Sequence, residues 1–196
     1  MASLHIHDPE NVSSKAFCAA VLISPTKVLT AGHCMDVIGM EVYDYALRLV
    51  NEPQLLRVNI AGKKHVAKSV TFARSYFEAS GFEGEDLAVI ELQEKSFATP
   101  IPVTTIKNLR VHVPVTLVAH GKEGNSIIKS VNQLGEHRIT TLDGTFTRAC
   151  AGDSGGAIIV ENAGRYELAG IILTDGVGCE RRDTLSIHPS LSTRSL

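Results

Sequence analysis

Cys150-Ala151-Gly152-Asp153-Ser154-Gly155-Gly156-Ala157-Ile158-Ile159-Val160 places a serine among glycines and runs on into a short apolar segment. A serine flanked by glycines can sit on a tight turn where backbone N–H groups from both sides point into one small space. An acyl-transfer nucleophile needs such a space beside it. A serine hydroxyl is a poor nucleophile at neutral pH, so it also needs a base within hydrogen-bond reach and a third group to orient that base. Two upstream segments offer these partners. Thr30-Ala31-Gly32-His33-Cys34 carries a histidine, and Glu85-Asp86-Leu87-Ala88-Val89-Ile90 carries an acid heading an apolar strand.

Outward from these segments, short apolar or alternating runs recur between turn residues: 17–23, 27–30, 45–50, 55–60, 67–73, 87–92, 111–119, 125–134, 137–142, 156–160, 166–173 and 184–188. Most are rich in Val, Ile and Thr and are broken by Gly, Pro, Asn or Asp, which is how antiparallel barrels or sandwiches read. Helix is expected only in a turn after Cys34. The first 14 residues read as a polar tail. Pro100 and Pro102 mark an extended connection within 96–105, which divides the chain into 1–100, carrying His33 and Asp86, and 101–196, carrying Ser154.

The three motifs, in the order His, Asp, Ser, resemble those of the trypsin and chymotrypsin-like serine peptidases. The likeness runs from about Phe17 to Cys179. It implies an all-β fold of two antiparallel six-stranded β-barrels with the active site in the cleft between them. It also implies that the enzyme hydrolyses peptide bonds through a Ser154 acyl-enzyme without cofactor or metal. His33 would act as general base and then acid, and Asp86 would fix the imidazole tautomer. The oxyanion hole would be the N–H groups of Gly152 and Ser154. The resemblance further implies disulfides Cys18–Cys34 and Cys150–Cys179, bracing the histidine loop and the pocket wall.

Asp153 stands where the family's acid pairs with an N-terminus released by proteolysis, yet no matching start precedes the first strand. A buried carboxylate without a partner is costly. Asp153 therefore either has a local partner or marks a zymogen-like state. The pocket base falls on Arg148, six residues before the serine. An arginine there would attract acidic side chains and select cleavage after Glu or Asp. In the competing reading Arg148 pairs with Asp183 or Asp175, or points to solvent while Asp183 confers basic specificity. Thr174-Asp175-Gly176 resembles the strand edge that pairs with substrate backbone, with Asp175 in place of an aromatic residue. The chain has no tryptophan, and it stops soon after His188 without the closing helix expected of the family.

The 196 residues suffice for a sizeable core, and a net charge of -2 gives no reason to expect nucleic acid as a partner. No apolar run is long enough for a membrane-spanning helix, and no membrane partner is expected. The anticipated partners are peptide or protein substrates and a proteinaceous inhibitor, met by a monomer. Four cysteines read as disulfides point to a secreted or periplasmic protein whose signal peptide is absent from the chain. His5-Ile6-His7 is an incidental pair with no second cluster to complete a metal site. A reading from a different class keeps the fold but makes it a catalytically silent binding module.

Overall fold

The computed structural model describes residues 1–7, 16–35, 44–73, 86–104, 109–132, 138–142, 150, 152–173 and 185–189. The strands are β1 (Ala2–Ile6), β2 (Cys18–Leu22), β3 (Lys27–Thr30), β4 (Leu56–Ile60), β5 (Lys63–Phe72) and β6 (Ala88–Leu92), then β7 (Pro114–Ala119), β8 (Lys122–Asn132), β9 (Arg138–Leu142), β10 (Ala157–Asn162), β11 (Arg165–Ile171) and β12 (Leu185–Pro189). The first six close into an antiparallel barrel in the order β1-β2-β3-β6-β5-β4. The last six form an antiparallel sheet in the order β11-β10-β7-β8-β9-β12, whose edge strands β11 and β12 approach each other. The architecture is the all-β one expected, with the second sheet open among the described residues.

Two segments depart from the sequence reading. Residues 1–7 are no polar tail: β1 pairs with both β2 and β4, and Ala2, Leu4 and Ile6 are buried. The strand was disguised because alternation over only five residues puts Ser3 and His5 on the outward face. His5 is therefore a strand residue, with its Nε2 3.0 Å from Ser3 Oγ. The run 45–50 is not a strand but part of an α-helix, α1 (Asp44–Asn51). Ala46 and Leu49, three residues apart, are buried, while Leu47 and Val50 are exposed. That spacing suits one face of a helix and not one face of a strand. Asn51 Nδ2 donates to the Leu47 carbonyl at 3.0 Å, and Arg48 and Glu52 stand 3.6 Å apart at i,i+4.

β2 shows why some runs are uniformly apolar. All five of its residues are buried, because one face lies inside the barrel and Ala19 on the other packs with Leu117, Ile128 and Ile158 of the second sheet. Conversely, Ala157, Leu168 and Ile171 of the second sheet join the core that contains Leu4, Leu29 and Ile90 of the barrel. The two halves thus share apolar packing. The connection between them is strapped to both: Ile101 N–H donates to the Leu22 carbonyl of β2, and Thr104 N–H to the Leu168 carbonyl of β11. The Thr104 hydroxyl also donates to Glu167 Oε2 at 2.8 Å, and Asn162 Nδ2 donates to both oxygens of the same carboxylate, which satisfies a buried acid.

Candidate active site

His33 lies in a short 3-10 turn, Gly32–Met35, that leaves the end of β3. Asp86 lies two residues before Ala88, the first residue of β6, which pairs opposite Thr30 of β3, so the sheet register itself brings the acid to the histidine turn. The Asp86 carboxylate accepts two hydrogen bonds from His33, one at 2.6 Å from the backbone N–H to Oδ1 and one at 2.6 Å from ring Nδ1–H to Oδ2. Both side chains are sheltered, His33 being 26% and Asp86 13% exposed. Since Nδ1 faces a carboxylate it carries the proton, which leaves Nε2 as the acceptor in the neutral ring. A histidine in this state is competent as a general base.

The turn carrying the histidine is tied down covalently by the Cys18–Cys34 disulfide to the start of β2. The sulfurs and a His33 ring nitrogen lie within 4.8 Å of one another. This triplet resembles a metal-ligand set only in residue type, because both sulfurs are spent in the disulfide and neither can be a thiolate.

Ser154 comes from the other half of the chain, and its turn packs against β2 and the end of β3, the strands that lead to Cys18 and to the His33 turn. Ala19, next to Cys18, donates its N–H to the Ser154 carbonyl at 2.8 Å, and Gly155 N–H donates to the Ile172 carbonyl at 2.8 Å. Ser154 itself is 2% exposed. Gly155 has φ +83°, and a Cβ there would overlap the Ala19 carbonyl and the Thr30 hydroxyl, which are themselves hydrogen-bonded at 2.9 Å. The glycine after the serine is thus required by backbone approach between the two halves as well as by turn conformation. Thr30 begins the motif that carries His33. One packed contact therefore relates the serine turn and the histidine turn.

The loop before the serine has its own internal order. Asp153 N–H donates to the Cys150 carbonyl at 2.8 Å, and Cys150 N–H donates back to Asp153 Oδ2 at 2.8 Å. The Asp153 carboxylate therefore has a local partner, one of the two states anticipated for it. With its own amide engaged in this ring, Asp153 cannot serve as an oxyanion donor. Gly152 has φ +95°, and no atom of the described residues other than its chain neighbours lies within 4 Å of where a Cβ would stand, so the space beside it is open among them. No acceptor among the described residues takes the Gly152 N–H. The Gly152 carbonyl is held, at 2.7 Å, by Nε2 of His120.

Arg148, Thr174, Asp175, Gly176 and Asp183, the residues expected from the sequence to bind substrate, lie outside the described residues, as does Cys179. Cys150 is disulfide-bonded. Sequence reasoning missed three residues that build the site: Ala19 and the Thr30 side chain, which anchor the serine turn, and His120. Only His120 carried a usable signal, as the first half of a His-Gly pair between two strands.

The family model described as Trypsin matches residues 1–194. Protein masquerade of Drosophila melanogaster is 28% identical over 213 aligned positions, covering 93% of this chain and 20% of that protein. The chain thus spans about a fifth of the length of that curated relative.

Proposed function

The chain belongs to the trypsin family, and from that premise we propose that it is a serine endopeptidase whose nucleophile is Ser154. The observation that carries the proposal is the double acceptance by Asp86 of both His33 donors, which commits Nε2 to the role of base. In the proposed reaction His33 Nε2 takes the Ser154 hydroxyl proton as Oγ attacks the scissile carbonyl. The same nitrogen then protonates the leaving amine. The resulting acyl-enzyme is hydrolysed by water, with His33 again the base. Gly152 N–H and Ser154 N–H are assigned to the oxyanion. The open space beside Gly152 supports this assignment, as does the engagement of the intervening Asp153 amide with Cys150.

The local partner of Asp153 supports a self-sufficient site over a zymogen-like one. The alternative is a catalytically silent binding module on this fold, for which the unusual pocket residue Arg148 leaves room; the presence of His33, Asp86 and Ser154 together favours the enzyme. Arg148, six residues before the nucleophile, supports cleavage after Glu or Asp, and the chain's substrates are proposed to be peptides or proteins. The Cys18–Cys34 disulfide supports an extracellular or periplasmic location.

Labelling with a fluorophosphonate probe tests the reaction: the oxidised protein is expected to label and Ser154→Ala is not. A protein that stays unlabelled would overturn the peptidase reading. Cleavage of a peptide library after Lys or Arg would remove the acidic preference while leaving the chemistry intact.

A further inference from the structure

Three hairpins in this chain turn through the same two-residue geometry. Ala61-Gly62 joins β4 to β5, His120-Gly121 joins β7 to β8, and Ala163-Gly164 joins β10 to β11. Both residues of each pair have positive φ: 50° and 84°, 46° and 76°, 50° and 78°. Positive φ at both central positions is what a type I′ hairpin turn demands, and a non-glycine residue at the first position bears some strain. Two of the three turns bear it with alanine. The turn therefore does not require an imidazole, and the histidine at 120 is explained by what its side chain touches.

That contact is the carbonyl of Gly152, 2.7 Å from His120 Nε2. The carbonyl belongs to the peptide group joining Gly152 to Asp153. The N–H of the same group donates to the Cys150 carbonyl at 2.8 Å. One peptide plane is thus pinned at both ends, by the Cys150 carbonyl on one side and by His120 on the other. Gly152 has no side chain, and among the described residues, its chain neighbours apart, no atom lies within 4 Å of where its Cβ would stand. Glycine at positive φ has neighbouring peptide orientations close in energy, so a bond to its carbonyl selects among them.

We infer that His120 is a positioning residue that holds the Gly152–Asp153 peptide so that the Gly152 and Ser154 N–H groups converge on one oxygen. The inference rests on the oxyanion role proposed above. For this bond Nε2 carries the proton, and it remains a donor when the ring is protonated. His120 lies on β7–β8, which contributes no other residue to the proposed chemistry. The hairpin is thus coupled to the nucleophile loop through one hydrogen bond.

The test compares His120→Ala, which makes the turn the Ala-Gly pair already used twice, with His120→Gln, whose amide Nε2 is the same number of bonds from the backbone and can donate. The readouts are kcat and KM for p-nitrophenyl acetate, the second-order rate of fluorophosphonate labelling, and the thermal midpoint. His120→Ala is expected to lower kcat and the labelling rate about tenfold, the size of one ordinary hydrogen bond, with KM and midpoint unchanged. His120→Gln is expected to recover most of the loss. Rates within twofold of wild type in His120→Ala overturn the inference, as does a loss that tracks the midpoint and that glutamine does not repair. If the wild type is itself unreactive, the peptidase reading falls separately. The amide NMR shifts of Gly152 and Asp153 then decide whether His120 holds this peptide: shifts that move in His120→Ala support it, and unchanged shifts overturn it.

Discussion

Replacing Asp86 by asparagine exchanges one oxygen for an NH2 group and leaves the volume almost unchanged, yet the site should lose nearly all its activity. The wild-type carboxylate faces two donors from the same residue, the His33 backbone N–H and Nδ1–H, each at 2.6 Å. Asparagine has one oxygen to offer. The backbone N–H can only donate, so it claims that oxygen and turns the amide NH2 toward Nδ1. Two facing donors are untenable, so Nδ1 gives up its proton, which moves to Nε2. A protonated Nε2 cannot accept from the Ser154 hydroxyl. Inverting the tautomer in a comparable triad lowers kcat by about 10⁴, equivalent to about 5 kcal/mol of transition-state stabilisation. The second-order rate of fluorophosphonate labelling reads this without knowledge of the preferred substrate, and denaturant unfolding shows whether the fold survives. Asp86→Ala removes both acceptors and leaves the ring free to adopt either tautomer. The asparagine variant, though the closer mimic, is accordingly expected to be no faster than the alanine variant. An Asp86→Asn protein that labels within tenfold of wild type would refute the tautomer argument.

Gly155→Ala should cost on the order of 3 kcal/mol of stability or more, because its Cβ meets the Ala19 carbonyl and Thr30 hydroxyl and its φ of +83° is unsuited to alanine. Gly164→Ala, at similar φ but in open space, should cost only about 1 kcal/mol; equal losses in urea titrations would show that packing between the halves is not the cause. Removing the Cys18–Cys34 bond in a double alanine variant should lower stability by about 3 kcal/mol for a span of 16 residues. That variant should also slow labelling, since the His33 turn loses its anchor; a full-rate, full-stability variant would count against the bracing role. His65 is 3% exposed, and burial, reinforced by Lys63 and opposed by Glu94, lowers its pKa from the ordinary 6.5. The unfolded chain then binds the proton more readily than the fold. The associated stability is complete above about pH 6.5 and is lost as pH falls through the lowered value. Urea midpoints measured from pH 8 to 5 should decline less in His65→Leu than in wild type, and parallel declines would assign the acid sensitivity elsewhere.

Much of this molecule was legible before any coordinates. Strands such as Lys27–Thr30 and Ala88–Leu92 announce themselves through β-branched apolar runs bounded by turn residues, and the motifs around His33, Asp86 and Ser154 name the groups proposed to react. Local pattern failed where a segment was too short to show its period. In residues 2–6 three buried positions alternate with a serine and a histidine, and 45–50 contains apolar residues at both strand-like and helix-like spacings. Burial against the barrel decides such cases, and burial is not a local property.

Residue type and chain order established the family resemblance, the chemical identity of the proposed triad, the β-rich class and the availability of cysteines for disulfides. These depend on covalent chemistry and on periodicities of a few residues, both of which a linear string carries. Tertiary structure alone decided that Asp86 takes both donors of His33, that Asp153 is satisfied by Cys150, that Gly155 must lack a side chain because Ala19 and Thr30 occupy its space, and that His120 reaches Gly152. Each of these relations, save the local ring between Asp153 and Cys150, joins groups at least 32 positions apart in the chain. Hydrogen bonds and steric contacts act over a few ångströms, so which such groups meet is set by the closure of the barrel and the packing of the second sheet against it.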